Sequence, residues 1–245
     1  MIKKTLWTMS IITWIILLFN PGNIMTMEHC HVSSAGPSMQ SFKMLLEMNP
    51  ISNQLLGWTL MVIAMMLPKL ISHLELLSFQ TFSKYRFINC LSFILGYLAT
   101  WSVVGFGMVW IIIGFNLKFP NSFVPAIIVG VLTLIWQFSP WKQIFLNKCH
   151  KHTIVSSRFL KGIYEAFKYG STHGLYCVGA GWGLMLFPML LPFGHNLAMI
   201  LVTIIMLTEH MEHPRVPKWE INFRLKFYKF IWYKVRFVKL CNNFF

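Results

Sequence analysis

The chain contains no aspartate and only seven glutamates in 245 residues. Magnesium and calcium sites are built from carboxylates, so phosphoryl or lipid-phosphate chemistry has little to work with here. No Gly-rich phosphate loop and no Ser-His-Asp pattern is readable. Together these absences argue against an enzyme. Charged residues of all kinds make up 11% of the chain, against about 25% in ordinary soluble domains. Cysteine is scarce and odd in number: Cys30, Cys90, Cys149, Cys177 and Cys241. Thiols scattered in this way do not make a disulfide framework. There is no internal repeat and no segment that reads as a soluble domain.

What is abundant is apolar: 56% of the residues are hydrophobic. The apolar runs are too long and too frequent for one water-soluble core, which predicts an all-α, polytopic helical membrane protein. Six spans are expected, at about residues 5–19, 55–74, 89–115, 123–138, 172–192 and 196–211. The first is short enough to be a signal-peptide core, but Asn20-Pro21-Gly22 reads as a turn rather than a cleavage site, so we take it as a retained helix over 1–20. Residues 21–51 form an outer, periplasmic segment, 52–212 a five-helix membrane core, and 213–245 a basic-aromatic tail. Pro68 is expected to kink the second span, because an interior proline removes a backbone donor. Lys69 is then placed to snorkel inward. Residues 75–88 and 141–169 read as inner loops, and the fifth span as interrupted by glycines and Pro188. Gly179 and Gly183 form a small-xxx-small face for close helix packing.

Positive charge is distributed one-sidedly. Of the 21 Lys and Arg, only Lys43 and Lys118 fall in loops that face outward when the N-terminus is inside. Basic loops stay cytoplasmic, so both termini are expected in the cytoplasm. The net charge of +14 has no groove-reading motif beside it, which leaves nucleic acid unsupported. In the tail, Arg224, Lys226, Lys229, Lys234, Arg236 and Lys239 alternate with aromatics. That pattern suits a segment lying on anionic inner-leaflet lipids, or a docking site for a partner protein.

Soft donors gather at one depth. His173 and Cys177 are four residues apart and share a helix face, a spacing at which an imidazole and a thiol can share a metal. Met206, Glu209, His210 and His213 close the sixth span, Cys149-His150-Lys151-His152 lies in the inner loop, and Met65 and Met66 occupy the inner half of the second span. The candidate inner site is Cys149, His173 and Cys177, with Met65, Glu209 and His210 in support. Methionines at helical spacing also fill core gaps, which is the plainer account of Met199 and Met206. A second candidate lies outside: Met25, Met27, His29, Cys30 and His31 within seven residues. Thioether, imidazole and thiolate suit copper(I) over oxygen-seeking cations; zinc is the other ion to consider.

Several motifs point to one family. They are Trp58, Met61 and Ala64-Met65-Met66-Leu67-Pro68; Trp136-Gln137-Phe138-Ser139-Pro140-Trp141-Lys142 leading to Cys149; His173-Gly174-Leu175-Tyr176-Cys177-Val178-Gly179 followed by Trp182; and Asn196-Leu197 with Glu209. Over about residues 55–212 the chain resembles the bacterial family described as predicted metal-binding integral membrane proteins, some members of which are labelled copper chaperones. The resemblance implies a multi-pass protein of the bacterial inner membrane that handles metal. The chain departs from the family pattern in four places. Phe145, Ala180 and Gly181 stand where members carry cysteines, and His195 where they carry methionine.

These readings predict a non-enzymatic membrane protein that holds or delivers copper near the cytoplasmic side. Three alternatives compete. A metal transporter would continue a soft path outward through Met61, Met185, Met189 and His195. A b-type haem protein would use His173 and His210 as axial ligands. A structural subunit would dock a membrane or periplasmic partner through the tail.

Overall fold

The structure, a computed structural model, describes residues 2–19, 42–43, 46–47, 50–119, 122–156 and 158–220. The outer Met25–His31 run and the basic tail beyond residue 220 lie outside the described residues, as do Cys30 and Cys241. Among the described residues the chain is all-helical. In order come α1 (Ile2–Phe19), α2 (Ile51–Met66), a 3-10 turn (Leu67–Leu70), α3 (Ile71–Gln80), α4 (Arg86–Lys118), α5 (Val124–Gln137), α6 (Pro140–Cys149), α7 (Phe159–Met189) and α8 (His195–His210).

Pro68 does not break its span. The helix tightens into the 3-10 turn with Pro68 in its first positions, where a missing N–H costs little. Ile51–Gln80 is thereby one 30-residue rod, and Arg86–Lys118 a second of 33 residues. Both exceed the roughly 20 residues that cross a bilayer. A third candidate crossing is α5 with α6, which meet at a 71° bend. So two helices are long and apolar enough to cross a membrane, or three if the bent pair counts as one. α5 turns Ile127, Leu132, Leu134 and Ile135 outward, a surface suited to hydrocarbon rather than water.

The two expected inner loops are largely helical. α3 continues to Gln80, into the stretch expected as loop. Ser139 caps α6, accepting from the Lys142 backbone N–H at 3.2 Å, with Pro140 in the first turn. Ser then Pro is a helix-start signature, outweighed in the sequence by the basic character of residues 142–152. α7 starts at Phe159, well before the apolar run, and stays continuous through its glycines and Pro188. The first turns of α7 are held by Glu165, whose carboxylate accepts the Ser156 N–H at 2.7 Å.

The glycines persist in α7 because neighbouring helices press against them. A Cβ on Gly170 would overlap the Phe93 carbonyl of α4, and one on Gly96 would overlap the Phe167 carbonyl. Thr100 packs on Gly174, and its hydroxyl donates to the Ser171 carbonyl at 3.3 Å. The Ser171 hydroxyl donates to the Gly96 carbonyl at 3.2 Å. Gly179 meets the Phe145 ring of α6, and Gly183 meets Thr133 of α5. On the other flank of α4, Trp58 of α2 is fully buried and donates its indole N–H to the Trp101 carbonyl at 3.0 Å. Gly194, at φ 76°, turns the chain from α7 into α8, a conformation that glycine adopts without strain.

Gly170→Ala is expected to cost about 1–3 kcal/mol, as overpacking does. Gly107→Ala, with nothing within 4 Å of the added methyl, is expected to be neutral or stabilising by up to about 1 kcal/mol. Thermal unfolding of the two variants in detergent checks the contrast.

Candidate metal site

Three helices and the 3-10 turn deliver side chains to one end of the bundle. Lys69 comes from the turn, Leu146 and Cys149 from the end of α6, and His173, Cys177 and Ala180 from the middle of α7. Met206, Glu209 and His210 come from the last turns of α8. Together they line one cavity of about 20 Å3, room for roughly a single water or ion. Thus Cys149, His173, Cys177, Glu209 and His210, drawn from three separate helices, share one wall. Met65 is fully buried but does not line the cavity. Met206 is the thioether that lines the cavity; Met66, also off its wall, touches Cys177 with Sδ 4.0 Å from the Sγ.

Both thiols are free and buried. Cys177 accepts from the Tyr97 hydroxyl of α4 at 3.2 Å, so α4 orients the sulfur across the contact with α7. His173 is 3% exposed, and among the described residues no hydrogen bond engages its ring. A buried polar group normally has a partner, so His173 is open to a ligand from the cavity.

Glu209 is differently employed. Its Oε1 pairs with the Lys142 ammonium at 2.8 Å, with both side chains nearly fully buried. Gln137 bridges the two, donating to Glu209 and accepting from Lys142. This network ties α8 to the α5–α6 bend, and Glu209 serves the cavity wall as an anchor. His150 is also committed: its ring nitrogens face the Leu146 carbonyl at 2.8 Å and the His210 carbonyl at 3.0 Å.

Sequence reasoning missed His73. Its ring lies 4.1 Å from that of His173 and 4.8 Å from that of His152, centroid to centroid. It is 1% exposed, and its Nδ1 is bound to the Tyr169 hydroxyl at 2.6 Å. The ring also has a backbone hydrogen bond to Cys149, so α6 and α7 both hold it. The available signal was His73 one helical turn after Lys69, at the depth already assigned to the thiols. His152 is exposed, so the three imidazoles run from the cavity to the surface.

The remaining sulfur and nitrogen residues fill space. Met61 and Met185 are fully buried in the main core, with Met199 and Met206 in the same cluster and Met189 packed on it. The His195 Nδ1 donates to the Pro188 carbonyl at 2.8 Å, the carbonyl whose helical partner would be the proline at 192. Among the described residues no three His, Cys or Glu side chains converge in coordination geometry.

The fold and cavity define a helical bundle, apolar enough for a membrane, with an ion-sized pocket walled by two thiols and imidazole. A family model described as PpoB2, copper chaperone, matches residues 55–220, and the chain belongs to that family. No curated protein and no solved structure matches the chain significantly.

Removing one partner of a buried ion pair leaves an uncompensated charge and costs about 3–5 kcal/mol. Glu209→Leu is expected to destabilise by that order, and Lys142→Met with Glu209→Leu to recover most of the loss. Unfolding midpoints of the single and double variants test this.

Proposed function

We propose that this protein is a multi-pass protein of the bacterial inner membrane that carries copper(I) as cargo between Cys149 and Cys177 and releases it toward the cytoplasm. The observation that carries the reading is the pairing of two buried free thiols on one ion-sized cavity, in a chain of the copper chaperone family. Two thiolates suffice for a soft monovalent ion that accepts low coordination, whereas harder or divalent ions want more ligands or oxygen. That preference agrees with a site that lacks a third converging ligand. His173 and the Met66 thioether stand beside the thiols, as groups that exchange with them during loading and release.

The cytoplasmic direction follows from charge. Lys84, Arg86, Lys148, Lys151, Arg158 and Lys161 lie on the segments that close the cavity end of the bundle, and basic segments stay inside. His173, His73 and His152 then form a way from the cavity to that surface. Six spans, with both termini cytoplasmic and the tail on anionic lipid, complete the proposed topology. The Met25–His31 run would collect metal on the outer side.

Elemental analysis of detergent-purified protein tests the reading. Wild type is expected to retain about one copper per chain under reducing conditions, and Cys149→Ser with Cys177→Ser to lose at least about a hundredfold in affinity, the scale of lost inner and outer ligands. Equal copper in both proteins would sink it. Delivery is tested separately. His152→Ala, an exposed-loop change, is expected to leave the stoichiometry intact and slow copper(I) transfer to a soluble chelator. Unchanged transfer kinetics would remove the imidazole route.

A further inference from the structure

A lysine stands in the wall of the cavity. Lys69 is 7% exposed and lines the pocket together with Cys149 and Cys177. Among the described residues no ion pair and no hydrogen bond engages its side chain. The other buried lysine shows the contrast, since Lys142 is matched by Glu209 at 2.8 Å. Among the described residues Glu209 is the one carboxylate lining the cavity, and that pairing already takes up its charge. The pocket therefore carries a surplus positive charge from Lys69.

The placement follows from local structure. Lys69 follows Pro68 in the 3-10 turn, whose tighter winding rotates side chains relative to a continuing α-helix. The long stem that would otherwise snorkel to the membrane surface is turned into the bundle. A charge in a largely buried wall is stabilised by a counter-charge that enters beside it, and an anionic complex in the cavity supplies one.

Charge counting says which ligand supplies it. When Cys149 and Cys177 bind a metal, each thiol gives up its proton to solvent. Two thiolates and a monovalent ion form a complex of charge −1, which Lys69 neutralises. Two thiolates and a divalent ion form a neutral complex, and Lys69 is left unpaired. No electron is transferred in either case. We propose that Lys69 is the counter-ion of a buried copper(I)–dithiolate complex, and that it thereby selects monovalent over divalent cargo. This inference rests on the thiol cavity being the copper site.

The test compares wild type, Lys69→Met and Lys69→Arg, all purified in detergent. Copper(I) affinity is read by competition with bicinchoninate, and zinc(II) affinity by competition with a chromophoric chelator. Lys69→Met is expected to weaken copper(I) binding at least about tenfold, the size of one charge interaction across a few ångströms of protein. Zinc(II) binding should hold or strengthen, and Lys69→Arg should keep the wild-type ratio. Lys69→Gln replaces Lys69→Met should the latter fail to fold. A side chain with only a packing role would move both affinities together. In a Cys177→Ser background the copper(I) complex carries no net charge, and the penalty of Lys69→Met should vanish. A copper-to-zinc ratio within about twofold of wild type in the uncharged variant overturns the proposal alone. Wild-type protein that captures no copper(I) overturns the thiol site and this inference with it.

Discussion

Gly170 of α7 lies so close to the Phe93 carbonyl of α4 that no side chain fits between them, and Gly96 of α4 meets the Phe167 carbonyl in the same way. Small residues on both partners let the two longest helices approach backbone to backbone. The hydroxyls of Thr100 and Ser171 then lock the crossing through carbonyl hydrogen bonds. The cavity depends on this contact. It sets Tyr97 against Cys177, and it faces His73 toward His173 and Tyr169. A wider spacing would leave the same residues at the same depth with nothing between them but slack.

The electrostatics of the cavity come from the use of one carboxylate. Glu209 is committed to Lys142 and Gln137, which closes the bundle by holding α8 to the bend at Ser139-Pro140. The wall is then left with two thiols, the imidazoles of His173 and His210, and Lys69. The departures from the family's cysteine pattern, at Phe145, Ala180 and Gly181, have structural counterparts. Phe145 covers Gly179, and Ala180 lines the cavity without filling it, while Gly181 makes room for the end of Met206. With these positions free of thiols, the sulfur-bearing residues lining the cavity are Cys149, Cys177 and Met206.

Much of this was legible along the chain. The helical class and the long apolar rods follow from run length, and the shared depth of Cys149, His173, Cys177 and His210 follows from where they fall at span ends. The family followed from the order of short motifs. The helical nature of 140–149 was legible in Ser139-Pro140, yet the basic residues behind it outweighed that cap. The early start of α7 was not readable from hydropathy, because Phe159 to Thr172 is held as helix by contacts with α4 and the Glu165 anchor. Neither Met65 nor Met66 lines the cavity while Met206 does, because the direction of a helical side chain depends on which neighbour is present. His73 went unnoticed because a lone histidine at a span end carries no signal until the ring of His173 lies beside it.

The sequence by itself determined the apolar, helical character of this chain and the softness of its donors, since these depend on residue type and order alone. Tertiary structure alone decided which donors meet. It paired Glu209 with Lys142, turned Lys69 inward and brought His73 to His173. The physical reason is that each of these outcomes is a competition between groups distant in the chain for one partner. Such a competition is settled only when helices close to contact distance, where desolvation makes an unpaired charge or polar group expensive.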